Sequence, residues 1–290
     1  MDFLHEKIRK LKAPLAVDFG IKPELLPPFL TEEEGNFPKA YGRFCRELLK
    51  VCKGQVPAVR FAFDTFALLG GEGLDTLAEL LQEARRMGFY VLLDSTAIQT
   101  PWDADRAAAA FFGPDSPYPC DGLIISPYIG SDAVKPFLDG CKDGKKDLFL
   151  TVRSPNKSAS ELQDLMTGSR LVQGAAADLA KRFGETMVGK CGYCAVGIGT
   201  SAGSPGSLRS LRTTYPRLYQ LVDGVDYPSG NAKNCSYAFD RFGYGAVVSA
   251  GPCITGAWKE AGTDGRDYTA QAAQAIERMK RNLLRYIAVL

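Results

Sequence analysis

One histidine, His5, occurs in the 290 residues. A Ser-His-Asp triad or a histidine-based metal site would have to use it, yet it lies in an N-terminal amphipathic stretch rather than at a strand end. Acid–base chemistry therefore falls to Asp, Glu, Lys, Tyr or Cys. An excess of one charge is also missing. The 35 Lys and Arg against 33 Asp and Glu leave a formal net charge of +2, which gives no electrostatic footprint for nucleic acid or an anionic membrane surface. No apolar run is long enough to span a membrane, and the first dozen residues lack a signal-peptide core, so the expected location is the cytoplasm. No Gly-rich dinucleotide or P-loop motif follows a strand, which leaves a Rossmann reading without support. Paired metal-binding cysteines are absent too. The eight cysteines are scattered, and Cys191-Gly-Tyr-Cys194 is a lone CxxC. Buried reduced thiols are the favoured reading over zinc, and a redox pair is weakened because the motif precedes a strand rather than opening a helix.

What is present is a regular alternation. At 46% hydrophobic and 23% charged, the chain can bury a sizeable core. The stretch that organises it is Phe89–Ala107, where the apolar run Phe89-Tyr-Val-Leu-Leu93 delivers Asp94 to a polar loop. That is the pattern of a buried parallel strand whose C-terminal end carries chemistry. Strands are expected at 15–17, 57–63, 89–93, 120–125, 147–152, 193–196, 219–222 and 244–249. Helices are expected at 3–11, 35–53, 74–87, 107–112, 160–166, 171–183, 204–215 and 268–288, with a further one ending at Leu138. Eight strands alternating with helices, without a linker or a break in composition, predict an α/β fold: a (β/α)8 TIM barrel in a single domain over residues 1–290.

Three loops then carry a resemblance. Ser126-Pro-Tyr-Ile-Gly-Ser-Asp-Ala-Val-Lys-Pro-Phe137 matches an SPYxG…KPF pattern. Leu150-Thr-Val-Arg-Ser-Pro-Asn156 with Gln163 is similar to VRTSNP…Q, and Lys22-Pro-Glu-Leu-Leu26 to an opening loop. In this order they resemble the orotidine 5'-phosphate decarboxylase family in its longer bacterial subtype. The resemblance implies a barrel that uses no metal and no organic cofactor. It also implies an alternating Asp-Lys-Asp-Lys array, with one lysine protonating the carbanion left by carbon dioxide, and a dimer in which a DxKxxD aspartate reaches the partner's site.

The departures from that pattern are specific. Asp94 remains, but Thr96 stands in the place of the proton-donating lysine and Gln99 in that of the second aspartate. Thr is not a useful acid at neutral pH. Arg60 lies near the lysine of the second strand, and arginine holds its proton too tightly to replace it. The aspartate of the first loop would fall near Gly20, with Asp18 out of register. At the phosphate end, Pro228 replaces a glutamine and Pro252 stands near an arginine's place, while Asp223 and Asp226 would face a dianion. Lys22 and Lys135 remain as lysines that could swing in. The candidate catalytic residues are Asp94 and Arg60, and the candidate ligand-binding residues are Ser126, Ser154, Asn156 and Gly230. Trp102, in the loop after the third strand, is expected at a dimer interface.

Three functions follow as expectations. The first is a non-catalytic homologue that forms a homodimer or a mixed dimer with a related barrel. The second is a site for a different small polar molecule. The third is a working decarboxylase of pyrimidine biosynthesis that converts orotidine 5'-monophosphate to uridine 5'-monophosphate.

Overall fold

Short apolar runs of Val, Leu, Ile and Ala, buried on both faces, supply the strands of this α/β fold, as a parallel sheet covered by helices requires. In the computed structural model these runs are β1 Leu15–Asp18, β2 Ala58–Ala62, β3 Tyr90–Asp94, β4 Gly122–Ile125, β5 Asp147–Thr151, β6 Val196–Ser201, β7 Gln220–Asp223 and β8 Ala246–Ala250. All are parallel, each pairs with its neighbours in the chain, and β8 closes on β1. The result is a closed (β/α)8 barrel. The structure describes every residue except 21, 96, 289 and 290. Thr96 therefore lies outside the described residues.

Helices α1 Asp2–Leu11, α2 Phe37–Cys52, α3 Gly70–Arg86, α4 Pro101–Phe112, α5 Val172–Gly184, α6 Pro205–Thr214 and α7 Tyr268–Leu284 surround the strands. Local chemistry sets their ends. Asn36 caps α2 by accepting from the Lys39 N–H at 2.9 Å. Thr100 and Asp103 form a capping box that starts α4 at Pro101, six residues before the expected Ala107. Gly88, at φ +85°, turns the chain out of α3 into β3. The apolar stripe of α2, including Tyr41, Phe44, Leu48 and Leu49, faces the core.

Several sequence expectations need correction. No helix spans 160–166. That stretch holds a 3-10 turn, Lys157–Glu161, and one edge of a two-residue hairpin, Met166–Thr167 with Arg170–Leu171. The stretch up to Leu138 is a chain of 3-10 turns rather than a helix. The sixth strand runs over 196–201, not 193–196. It includes two glycines, and a Cβ on Gly197 would sit 2.7 Å from the Tyr219 carbonyl oxygen, so glycine marks close strand packing there. Strands β1, β3 and β7 each extend one residue further than expected, to end in Asp18, Asp94 and Asp223.

Candidate functional site at the barrel mouth

Those one-residue extensions build the site. The odd strands end in Asp18, Asp94, Thr151 and Asp223. Three of these four residues are carboxylates that converge on one cation. Arg60 sits mid-strand on β2, in register with Asp18 of β1 and Leu92 of β3. Its side chain is only 10% exposed. Arg60 Nε donates to Asp94 at 3.1 Å and Nη2 donates to Asp94 Oδ2 at 2.7 Å. Nη1 donates to Asp223 Oδ2 at 2.9 Å and to Ser249 Oγ at 3.2 Å, and lies 3.5 Å from Asp18 Oδ2. Every guanidinium nitrogen is thus engaged by the protein. With all groups ionised, three carboxylates against one guanidinium leave a formal charge of −2.

Burial disfavours ionisation of Asp18 and Asp94, and Arg60 opposes that effect. The Asp18 carboxyl is raised to about 6 by desolvation, with Asp94 and Asp223 adding to the rise and Arg60 countering it. Burial likewise raises Asp94, against the pull of Arg60. The same neighbours hold the Arg60 guanidinium fully charged. The expectation that Asp18 was out of register is therefore overturned. Its carboxylate joins the cluster and also accepts the Gly20 N–H at 2.7 Å.

The other sequence candidates lie apart from this cluster. Ser154 and Asn156 leave β5 in a loop whose polar groups satisfy one another. The Ser154 hydroxyl lies 2.6 Å from Asn156 Oδ1, and its N–H donates to Gln163 Oε1 at 2.8 Å. Gly230 closes the loop after β7 by donating its N–H to the Tyr227 carbonyl at 2.8 Å. A Cβ there would lie 1.9 Å from the Gly224 carbonyl oxygen, so glycine is needed for loop closure rather than for ligand contact. Ser126 is exposed at the end of β4. Gln99 is exposed too, and its N–H donates to Asp103 within the cap of α4. Lys135 is tied to Asp132 at 3.2 Å on the surface.

A cavity of about 600 Å³ opens beside the cluster. Arg153, Asn156 and Lys157 line it from the β5 loop, Ser201 and Ser204 from the β6 loop, and Tyr227 from the β7 loop. Arg153 is neutralised by a two-pronged pair with Asp164, at 3.0 and 3.1 Å. Tyr227 connects cavity and cluster, since its phenol is raised by burial and by the nearby charges of Asp223 and Asp226. Sequence reading missed Ser201 and Lys157, which carry no motif and meet only through the barrel, and it quoted Arg153 within a motif without assigning it to the site. Among the described residues, no group of three or more His, Cys, Asp or Glu side chains could hold a metal ion. Burial pushes Cys191 up to about 12 and raises Cys194, so neither side chain of the CxxC is a ready thiolate. No helix among the described residues is long and apolar enough to cross a membrane.

No model of a known protein family matches the chain. Individual relatives do. The orotidine 5'-phosphate decarboxylase of Rhodopirellula baltica is 32% identical over 224 residues, which span 76% of this chain and 74% of that one. The enzyme of the same name from Caldicellulosiruptor bescii is 24% identical over 274 residues, covering 89% and 90%. Among solved structures, the Plasmodium berghei orotidine 5'-monophosphate decarboxylase superposes with a TM-score of 0.77 at 13% identity, covering 97% of this chain and 98% of that one. The Leishmania donovani OMP decarboxylase superposes with a TM-score of 0.71 at 23% identity, with the same coverage. These superpositions speak to the fold. The sequence likeness to the Rhodopirellula protein carries the assignment further: the chain belongs to the orotidine 5'-phosphate decarboxylase family.

Proposed function

We propose that this barrel does not perform lysine-assisted decarboxylation in its own mouth, and that the mouth holds a small polar molecule, with Asp94 and Arg60 at its base. One observation carries this reading. The cation paired with Asp18, Asp94 and Asp223 is an arginine, and all of its nitrogens are taken by protein groups. An arginine cannot surrender a proton to a carbanion near neutral pH, and the next position in the motif is Thr96. Asp94 and Arg60 remain able to orient a neutral polar group through the partly exposed carboxylate. The chain acts as one domain in the cytoplasm, and as a homodimer or a mixed dimer with a related barrel.

The relatives favour a second reading, decarboxylation of orotidine 5'-monophosphate to uridine 5'-monophosphate. Their shared name supports it, and the comparisons lend nothing to a loss of activity. Only the residue chemistry of Arg60 and Thr96 opposes it. A decarboxylation assay with orotidine 5'-monophosphate on the wild type beside Asp94→Ala separates the two. We expect no turnover above the uncatalysed background in either protein. Turnover in the wild type that vanishes in Asp94→Ala establishes the second reading and removes the first.

A further inference from the structure

The loops after the seventh and eighth strands are where (β/α)8 barrels commonly take a phosphate, using backbone N–H groups and the start of a short extra helix. Here that short helix is Pro252–Thr255, entered through Gly251. The Gly251 N–H already donates to Asp226 Oδ2 at 3.0 Å. Two residues on, burial raises the Cys253 thiol and the Asp226 charge adds to the rise. In the β7 loop the Gly224 N–H goes to Asp223 Oδ1 at 2.8 Å, while the other Asp223 oxygen holds Arg60. The Tyr227 N–H goes to the Gly224 carbonyl at 3.2 Å, and the Gly230 N–H to the Tyr227 carbonyl at 2.8 Å. Pro228 and Pro252 have no N–H to offer. Four N–H groups of these loops, those of Gly224, Tyr227, Gly230 and Gly251, are thus spent on the protein's own acceptors, and the group reaching from one loop to the other is itself an anion.

We propose that the Asp226 carboxylate is a built-in anion that fills the phosphate position of this barrel, so that the mouth takes polar molecules carrying no phosphate at that end. The proposal deepens, and rests on, the reading of the mouth as a small-molecule site. It makes Asp226 a specificity-determining residue: its charge repels a second anion, and its oxygen holds the amide an anion would need.

The test is a thermal-shift and equilibrium-titration series with inorganic phosphate, uridine and uridine 5'-monophosphate on the wild type, Asp226→Ser and Asp226→Asn. Far-UV circular dichroism confirms that each variant folds, and the asparagine variant, which keeps the acceptor oxygen, stands in if the serine variant does not. We expect neither stabilisation by phosphate nor preference for the nucleotide over the nucleoside in the wild type. Removal of the charge should create phosphate-dependent stabilisation, and a preference for the nucleotide of about tenfold or more. Phosphate-dependent binding to the wild type overturns the proposal, whether through Lys157 or elsewhere. So does a folded variant that gains none, because Asp226 would then only tie the two loops together. Wild-type phosphate binding without decarboxylation would sink this inference alone, whereas decarboxylation would sink the reading beneath it.

Discussion

Asp18 shows how a single register decides the chemistry of the mouth. Ending β1 at Val17 leaves Asp18 in a loop, but as the last strand residue it stands opposite Arg60. Folding places it among two other carboxylates and raises it to about 6, whereas in the unfolded chain it ionises near 4. The folded state therefore holds an extra proton between those values. The stabilisation tied to that proton is complete below about pH 4 and is lost as pH rises through about 6. Asn at this position cannot lose a proton and keeps an oxygen for the Gly20 N–H. Asp18→Asn should match the wild type near pH 4 and exceed it by up to about 2 kcal/mol at pH 7.5, read from urea midpoints across the range. A difference that stays flat with pH would mean that Asp18 ionises normally. Arg60→Met is the converse case. It strands three carboxylates that are each between a fifth and a third exposed, so they can gain protons instead of remaining charged. The expected loss is about 2–3 kcal/mol at pH 7.5 and less at pH 5, measured the same way.

At the scale of the element, the loop between β3 and α4 hangs from its cap. Thr100 and Asp103 satisfy each other's backbone N–H groups and start α4 directly behind that loop. Thr100→Ala should cost about 1 kcal/mol in stability and raise amide exchange at 99–103, and unchanged protection there would show that the cap does not hold the loop. The elements also show what was legible in the sequence. Strand identity was readable because apolar runs of four to six residues buried on both faces have few alternatives in an alternating chain. Asp94 was readable as a site residue because it ends such a run, whereas Arg60, in the middle of its strand, was readable only through the family resemblance. Strand ends were not readable to the residue, because an aspartate terminating a strand looks the same in sequence as one opening a loop. That ambiguity hid Asp18. The Gly197 and Gly199 positions of β6 hid for a related reason: glycine signals a turn unless a neighbouring strand needs the space, and only the closed barrel supplies that neighbour. The cavity lining is drawn from three separate loops, and only its β5 part, with Arg153 and Asn156, has a linear signature.

On the scale of the whole molecule, the loops that frame the mouth leave large apolar side chains in solvent. Leu68, after β2, is 86% exposed, and Trp102, after β3, is 71% exposed. Leu162, Leu165 and Met166, after β5, are exposed as well. Single exposed apolar residues are ordinary, but several around the rim of one end of a barrel favour association through that end. A Trp at the centre of an interface tends to carry more of the binding energy than its neighbours. If two barrels meet mouth to mouth, light scattering behind size exclusion should give twice the 31.4 kDa of one chain, and the melting temperature should rise with protein concentration. Leu68→Glu with Trp102→Glu should return the mass to that of one chain and abolish the concentration dependence. Both positions are solvent-exposed in the single barrel, so the fold itself should survive the change, as circular dichroism would show. A wild type that runs as one chain at every concentration tried would remove the homodimer. The same experiment repeated with a co-expressed intact family member would then decide whether this rim is completed by a different barrel: a complex that Leu68→Glu with Trp102→Glu disrupts is a mixed dimer through this rim.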